Sequence, residues 1–175
     1  MTTRSAPHLV RRTIHLPDAE ATAHLGRQLA RVLRPGDTVL LSGPIGAGKS
    51  HLARATIRAL MEAGGEPAED IPSPTFTLVQ TYPAGETEIW HADLYRLGEP
   101  ADVLELGLEE AFSEAICLVE WPDRLGSATP ESALAIALAE DGAGRRAALS
   151  APAPIWAGRL EALSTAPEGD DAARD

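Results

Sequence analysis

A single cysteine, Cys117, and a single lysine, Lys49, occur among the 175 residues. One cysteine excludes an internal disulfide, and its place in the apolar run "AICLVEW" makes it a core residue of a protein kept in a reducing compartment. No apolar stretch approaches the ~20 residues that span a bilayer, which argues against a transmembrane helix. The start, "MTTRSAPHLVRRTIHL", carries arginines but no apolar core segment. No secretory signal is expected, and the expected location is cytoplasmic. Basic charge is also scarce: 15 Lys and Arg face 26 Asp and Glu, for a formal net charge of −11. Proteins that grip nucleic acid directly neutralise phosphates with a basic footprint. A chain this acidic, if it serves a nucleic-acid pathway, is expected to do so through partner proteins. The absence of an N-K-x-D motif argues against a GTPase. The absence of a second glycine-rich acceptor site and of a long arginine-rich lid argues against a small-molecule kinase.

What is present suits one globular domain. At 44% hydrophobic the chain is long enough to bury a core. No internal repeat or interdomain linker interrupts it. Residues 1–163 are expected to form the domain, and the polar, acidic end "STAPEGDDAARD", 164–175, a disordered tail. "RTIHLPD" reads as an edge strand ended by Pro17 and Asp18. "AEATAHLGRQLARVL" is an amphipathic helix closed by Pro35-Gly36-Asp37. "TVLLS" is a buried strand, and "KSHLARATIRALMEA" a helix stopped by Gly64-Gly65. After the proline-rich loop "GEPAEDIPSP", "FTLVQTY" and "TEIWHADLY" flank "PAGE" as a hairpin or two neighbouring strands. "PADVLELGLEEAFSE" is expected as one helix and "AICLVEW" as a buried strand. "ALAIALAE" and "RRAALSA" form a second strand pair around "DGAG". Alternating strands and helices with some antiparallel pairs imply an α/β class with a mixed parallel and antiparallel sheet, and the glycine-rich "GPIGAGKS" between "TVLLS" and the helix after it makes a three-layer, P-loop NTPase-like fold the expectation.

The octet "GPIGAGKS" carries the chemistry. Gly43, Gly48, Lys49 and Ser50 match G-x-x-x-x-G-K-[ST], with an apolar strand before and a helix after, as a phosphate-binding loop requires. Glycines let successive backbone N–H groups converge on phosphate oxygens at the positive end of the helix. Lys49 supplies a compact ammonium for the β- and γ-phosphates, where arginine's planar fork would not fit. A chain that otherwise writes every cation as Arg therefore keeps its one Lys here. Ser50 offers a hydroxyl to Mg²⁺ bridging the phosphates. The expected contact set for a nucleoside triphosphate is the loop itself, Gly43, Pro44, Ile45, Gly46, Ala47, Gly48, Lys49 and Ser50, with His51 following.

Such a loop needs an acidic partner at a neighbouring strand end. Glu120, closing "AICLVE", is the preferred metal-side acid over Asp123. Asp93 in "HADLYR" stands where a strand disfavours Asp. It either orients an attacking water or senses the γ-phosphate, or it caps the turn before "EPADVLEL". His91 reads as structural. Thr75 in "SPTFTLV" lies either in a switch segment that reaches the γ-phosphate or in a simple strand entry. The pairs Arg145-Arg146 and Arg11-Arg12 either clamp a nucleotide or are solvated.

"GPIGAGKS", "SPTFTLV", "HADLYRL" and "CLVEWPDRL", in this order and spacing, resemble the bacterial TsaE family, formerly YjeE, over about Ile14 to Ser150. The resemblance implies a small ATPase of tRNA threonylcarbamoyladenosine (t6A) synthesis. It would act with TsaB and TsaD, use ATP to reset that pair between turnovers, and meet tRNA only indirectly. It further implies Ser50 and Glu120 on Mg²⁺, Asp93 at a position important for hydrolysis, Thr75 in a switch-like loop and Trp121 beside the nucleotide. Lys49, Asp93 and Glu120 become the expected catalytic set. Ser50 stands where many members carry Thr, which keeps the hydroxyl. Asp18-Ala19-Glu20 occupy the segment near adenine. Arg145 matches an arginine near the nucleotide in relatives only loosely. Two other readings compete: a small-molecule P-loop kinase, and a nucleotide-dependent assembly factor in which hydrolysis is secondary.

Overall fold

A computed structural model describes Ala6 and residues 8–68, 70–74, 77–99 and 101–163. Thr75 and the 164–175 tail lie outside the described residues, so the switch and disorder expectations concern segments on which the structure is silent. The described chain runs β1 (Leu9–Leu16), α1 (Ala19–Val32), β2 (Thr38–Ser42), α2 (Lys49–Ala63), β3 (Val79–Ala84), β4 (Thr87–Asp93), α3 (Asp102–Glu105), α4 (Leu108–Glu114), β5 (Ile116–Glu120), a 3₁₀ segment (Pro122–Ala128), β6 (Leu134–Asp141), β7 (Gly144–Pro152) and α5 (Ala153–Glu161).

The seven strands form one sheet in the order β1-β7-β6-β2-β5-β4-β3. β2 pairs in parallel with β5 and β6, and β4 in parallel with β5. The β1–β7, β6–β7 and β3–β4 pairs are antiparallel. The sheet is therefore mixed, parallel at its centre and antiparallel at both edges, as expected. Side chains alternate across each strand. On β2, Val39 and Leu41 face the core shared with α1, α2 and α5, while Leu40 faces a second core built with Val103 and Leu108. Helices cover both faces of the central strands, giving three layers.

Local chemistry explains the well-placed elements. Asp18 has extended backbone and its carboxylate accepts the Ala21 N–H at 2.8 Å, a side-chain cap that starts α1. Arg159 of α5 donates to the Val32 carbonyl at the end of α1, pairs with Asp37 ahead of β2, and stacks on Trp156 at 3.9 Å. One guanidinium thus ties three elements together.

Two sequence expectations need correction. The helix expected over "PADVLELGLEEAFSE" is two short ones, because Gly107 sits at φ +77°, a left-handed turn that breaks the ladder. The hairpin turn is Gly85-Glu86 rather than "PAGE", since Pro83 and Ala84 remain in the β3 ladder opposite Glu88 and Thr87. Helix α5 was not anticipated. Its Pro154 lies in the first turn, where proline is tolerated.

Candidate phosphate and metal site

The parallel strands β2, β4 and β5 end on the same side, and α2 begins there. Leu41 lies opposite Glu120, and Asp93 opposite Glu120 on the far side, so the register alone aligns the two acids on adjacent strand tips. Period-two alternation puts Ile89, His91 and Asp93 on the same face of β4 as Ile116, Leu118 and Glu120 of β5. That face is the one packed by α2. Ser50, in the first turn of α2, comes down onto it: its Oγ donates to Glu120 Oε1 at 2.8 Å.

The loop between β2 and α2 turns through left-handed backbone at Gly43, Gly46 and Gly48. At Gly43 a Cβ would meet the Leu138 carbonyl at 2.4 Å, so neither the conformation nor the space admits another residue. Within this loop Lys49 is buried, and its Nζ donates to the carbonyls of Gly43 at 2.6 Å and Pro44 at 2.9 Å. The same ammonium lies 4.4 Å from the centre of the Trp121 ring. Burial pushes the Lys49 ammonium down from its ordinary value, with Glu120 and Asp93 pulling the other way. A desolvated cation beside two acids is primed to exchange carbonyl and aromatic partners for a stronger anion.

Around these groups lies a cleft of about 450 Å³ that includes Lys49, Ser50, Asp93, Glu120, Trp121 and Arg54. A smaller cleft lies across the loop between the start of α1 and the β6–β7 turn, lined by Asp18, Ala19, Thr22, His51, Gly144 and Arg145. His51 and Arg145 also bind the loop to its flanks: the His51 ring contacts the Ala19 carbonyl at 3.0 Å and Arg145 donates to Gly46 O at 3.2 Å. The structure thus brings together the loop, Lys49, Ser50, His51, Asp93, Glu120, Trp121 and Arg145. Asp123 is exposed in the 3₁₀ segment and does not line the main cleft. Arg146 is exposed, and Arg12 is spent on the Leu160 carbonyl.

Asp93 is 8% exposed, and its Oδ1 accepts the Tyr95 N–H at 3.0 Å. It therefore caps its own turn and lines the cleft at once, so the two readings of this residue are compatible. Trp121 adopts φ +58°, an uncommon conformation for a bulky residue, and its ring lies 4.9 Å from that of Tyr95, tilted by 49°. This bend immediately after Glu120 turns the indole back over Lys49.

The sequence marks His91 as structural rather than catalytic, and its contact with the Glu120 carboxylate is visible only in the fold. It is fully buried, and its Nε2 contacts Glu120 Oε2 at 2.7 Å. The signal available was its i−2 spacing from Asp93 on a strand, which places both on one face.

Ser50 and Glu120 offer two hard oxygens side by side, the donor type that Mg²⁺ prefers when phosphates and water complete its shell. Among the described residues no cluster of three or more His, Cys, Asp or Glu could hold a metal alone.

A glycine loop between a buried strand and a helix, with acids at neighbouring parallel strand ends, defines a protein of P-loop NTPase-like α/β fold. The family model for threonylcarbamoyl adenosine biosynthesis protein TsaE matches residues 16–148, and the chain belongs to that family. Proteins named tRNA threonylcarbamoyladenosine biosynthesis protein TsaE resemble it in sequence. The one from Rickettsia conorii is 44% identical over 108 residues, covering 62% of this chain and 59% of that protein. The one from Haemophilus influenzae is 32% identical over 126 residues, covering 69% and 77%. The match spans less than two thirds of the R. conorii relative's length. The crystal structure of Bacillus subtilis YdiB superposes with a TM-score of 0.72 at 25% identity, covering 90% of this chain and 97% of that one. Among the described residues no helix is long and apolar enough to cross a membrane.

Proposed function

We propose that this chain binds Mg²⁺-ATP in the Gly43–Ser50 loop, hydrolyses it, and serves t6A modification of tRNA as a cytoplasmic partner of the TsaB–TsaD pair. The observation that carries the reading is the Ser50–Glu120 contact at 2.8 Å, beside a buried lysine at the head of α2. That arrangement presents a cation and two metal-type oxygens where a helix N-terminus already favours phosphate. Mg²⁺, when bound, supplies neutralisation of the phosphate charge.

The chain's own residues divide the rest of the work. Lys49 exchanges the Gly43 and Pro44 carbonyls for phosphate oxygens. Asp93 spends Oδ1 on Tyr95, which leaves Oδ2 to orient a water or accept its proton. Trp121 and Tyr95 shield the lysine side of the cleft. The family membership and the names of the relatives support the pathway. The net charge of −11 supports a protein partner over direct capture of tRNA.

Glu120→Ala and Asp93→Ala separate this reading from a pure assembly role. Each is expected to keep ATP and partner binding but to lose t6A formation when it replaces the wild-type chain in cells. Normal t6A with either variant would make hydrolysis dispensable and overturn the proposal.

A further inference from the structure

The geometry points to His91 as a positioning residue that fixes the Glu120 carboxylate for metal binding, through a single Nε2–H donated to Oε2. The inference rests on the Ser50–Glu120 metal reading above.

Both residues are almost wholly inaccessible, His91 at 0% and Glu120 at 2% exposure. A carboxylate so buried has four lone-pair directions to satisfy and only fixed donors to satisfy them. Two are present among the described residues: Ser50 Oγ on Oε1 at 2.8 Å, and His91 Nε2 on Oε2 at 2.7 Å. The Nδ1 of His91 is buried with no partner among the described residues. A proton on Nδ1 would be a donor with no acceptor, whereas Nε2 faces an oxygen that can only accept. The contact therefore places the donated hydrogen on Nε2. This is the arrangement seen from the other side in metal sites, where an outer partner fixes the orientation and basicity of the ligating group.

The function of the contact follows from the competitor. Lys49 feels the charges of both Glu120 and Asp93. With Oε2 held by His91, Glu120 keeps Oε1 on Ser50, and Lys49 keeps the loop carbonyls and the Trp121 face. Without the His91 donor, Oε2 is a buried acceptor in need of a partner, and the nearby ammonium is the charge that can supply one. Glu120 would then turn from Ser50 to Lys49, removing the metal-side oxygen while leaving the backbone cradle whole. Parallel register fixes the reach: His91 lies opposite Leu118, two residues before Glu120 on the same face. Only a side chain that extends toward the strand end can make the contact.

The test is calorimetric titration of ADP into the purified chain across a Mg²⁺ series and in EDTA. The variants are His91→Gln, which carries an N–H donor at the Nε2 reach, His91→Asn, which is too short, and His91→Leu, which fills space without a donor. The inference predicts a Mg²⁺ midpoint within about threefold of wild type for Gln and raised about 10–100-fold for Asn and Leu, the usual loss when a ligand's outer partner is removed. Affinity for metal-free ADP is expected to stay within about twofold throughout. Equal midpoints for Gln and Asn would overturn the inference, as would an equal fall in metal-free affinity. Failure of both Asn and Leu to fold would assign His91 to the core and overturn it too. Wild-type ADP affinity indifferent to Mg²⁺ would instead strike the underlying metal reading.

Discussion

Lys49 concentrates the chemistry in one side chain. Its ammonium is buried against two carbonyls and an indole, and each of these is weaker than a phosphate as a partner. Hydrogen bonds to charged groups contribute about 1.5–3 kcal/mol, so Lys49→Ala is expected to weaken ATP binding roughly 10–100-fold by calorimetry. Unchanged affinity would remove the loop from the account. Ser50→Ala is expected to lose the Mg²⁺ dependence of nucleotide affinity more than the affinity itself, measured in the same titrations. Cys117 gives a prediction free of ligands. Burial pushes its thiol from 9.0 up to about 12, with Glu88 adding to the shift. The unfolded chain ionises this thiol first, so its contribution to stability is complete below about pH 9 and is lost as pH rises toward 12. Comparing denaturation midpoints at pH 8 and 10.5, wild type should lose more stability than Cys117→Val; parallel losses would contradict the burial argument. Lys49 stood out as the one lysine in a chain of arginines and Asp93 as an acid inside a strand-like run, whereas Cys117 was legible from its apolar surroundings and Glu120 from closing a strand in a chain with a phosphate-type loop. His91 was not, since a histidine on a strand is ordinary until the neighbouring strand's register brings Glu120 beside it.

At the scale of elements, stops and starts carry the structure. The Asp18 cap holds the first turn of α1, which lines the smaller cleft. Asp18→Ala is expected to cost about 1 kcal/mol, a fall of roughly 2–4 °C in melting temperature for a chain of this size. No change would mean that the cap contributes nothing. α1, α2, β2 and β5 were readable because period and punctuation agreed: apolar spacing gave the face, and Asp, Gly or Pro gave the ends. The α3–α4 break was not readable, because the helical period runs through Gly107, whose left-handed backbone ends the ladder there. α5 was hidden for the opposite reason. Its prolines look like a loop, and its stability comes from distant partners, Ser132 for Trp156 and Val32 for Arg159. Long-range contacts of this kind leave no local trace in sequence.

For the molecule as a whole, sequence pattern implied an α/β class and a mixed sheet but not the strand order. β6 lies beside β2 although nearly a hundred residues separate them, and β1 closes the far edge against β7. That order has a functional consequence. It brings the β6–β7 turn, with Gly144 and Arg145, against the loop after β2, so the smaller cleft is built from both ends of the chain. The site is thus assembled from β1, β2, β4, β5 and the β6–β7 turn around one helix N-terminus. Its acids and lysine already lie together, and what the proposed account adds is a partner that gates turnover. The direct measurement is phosphate release from ATP by the purified chain, alone and then with TsaB and TsaD of the same organism, using Glu120→Ala as control. The account predicts slow release alone, strong stimulation by the pair, and loss of the stimulated rate in Glu120→Ala. Fast release that ignores TsaB and TsaD would contradict it and direct attention to a small-molecule acceptor.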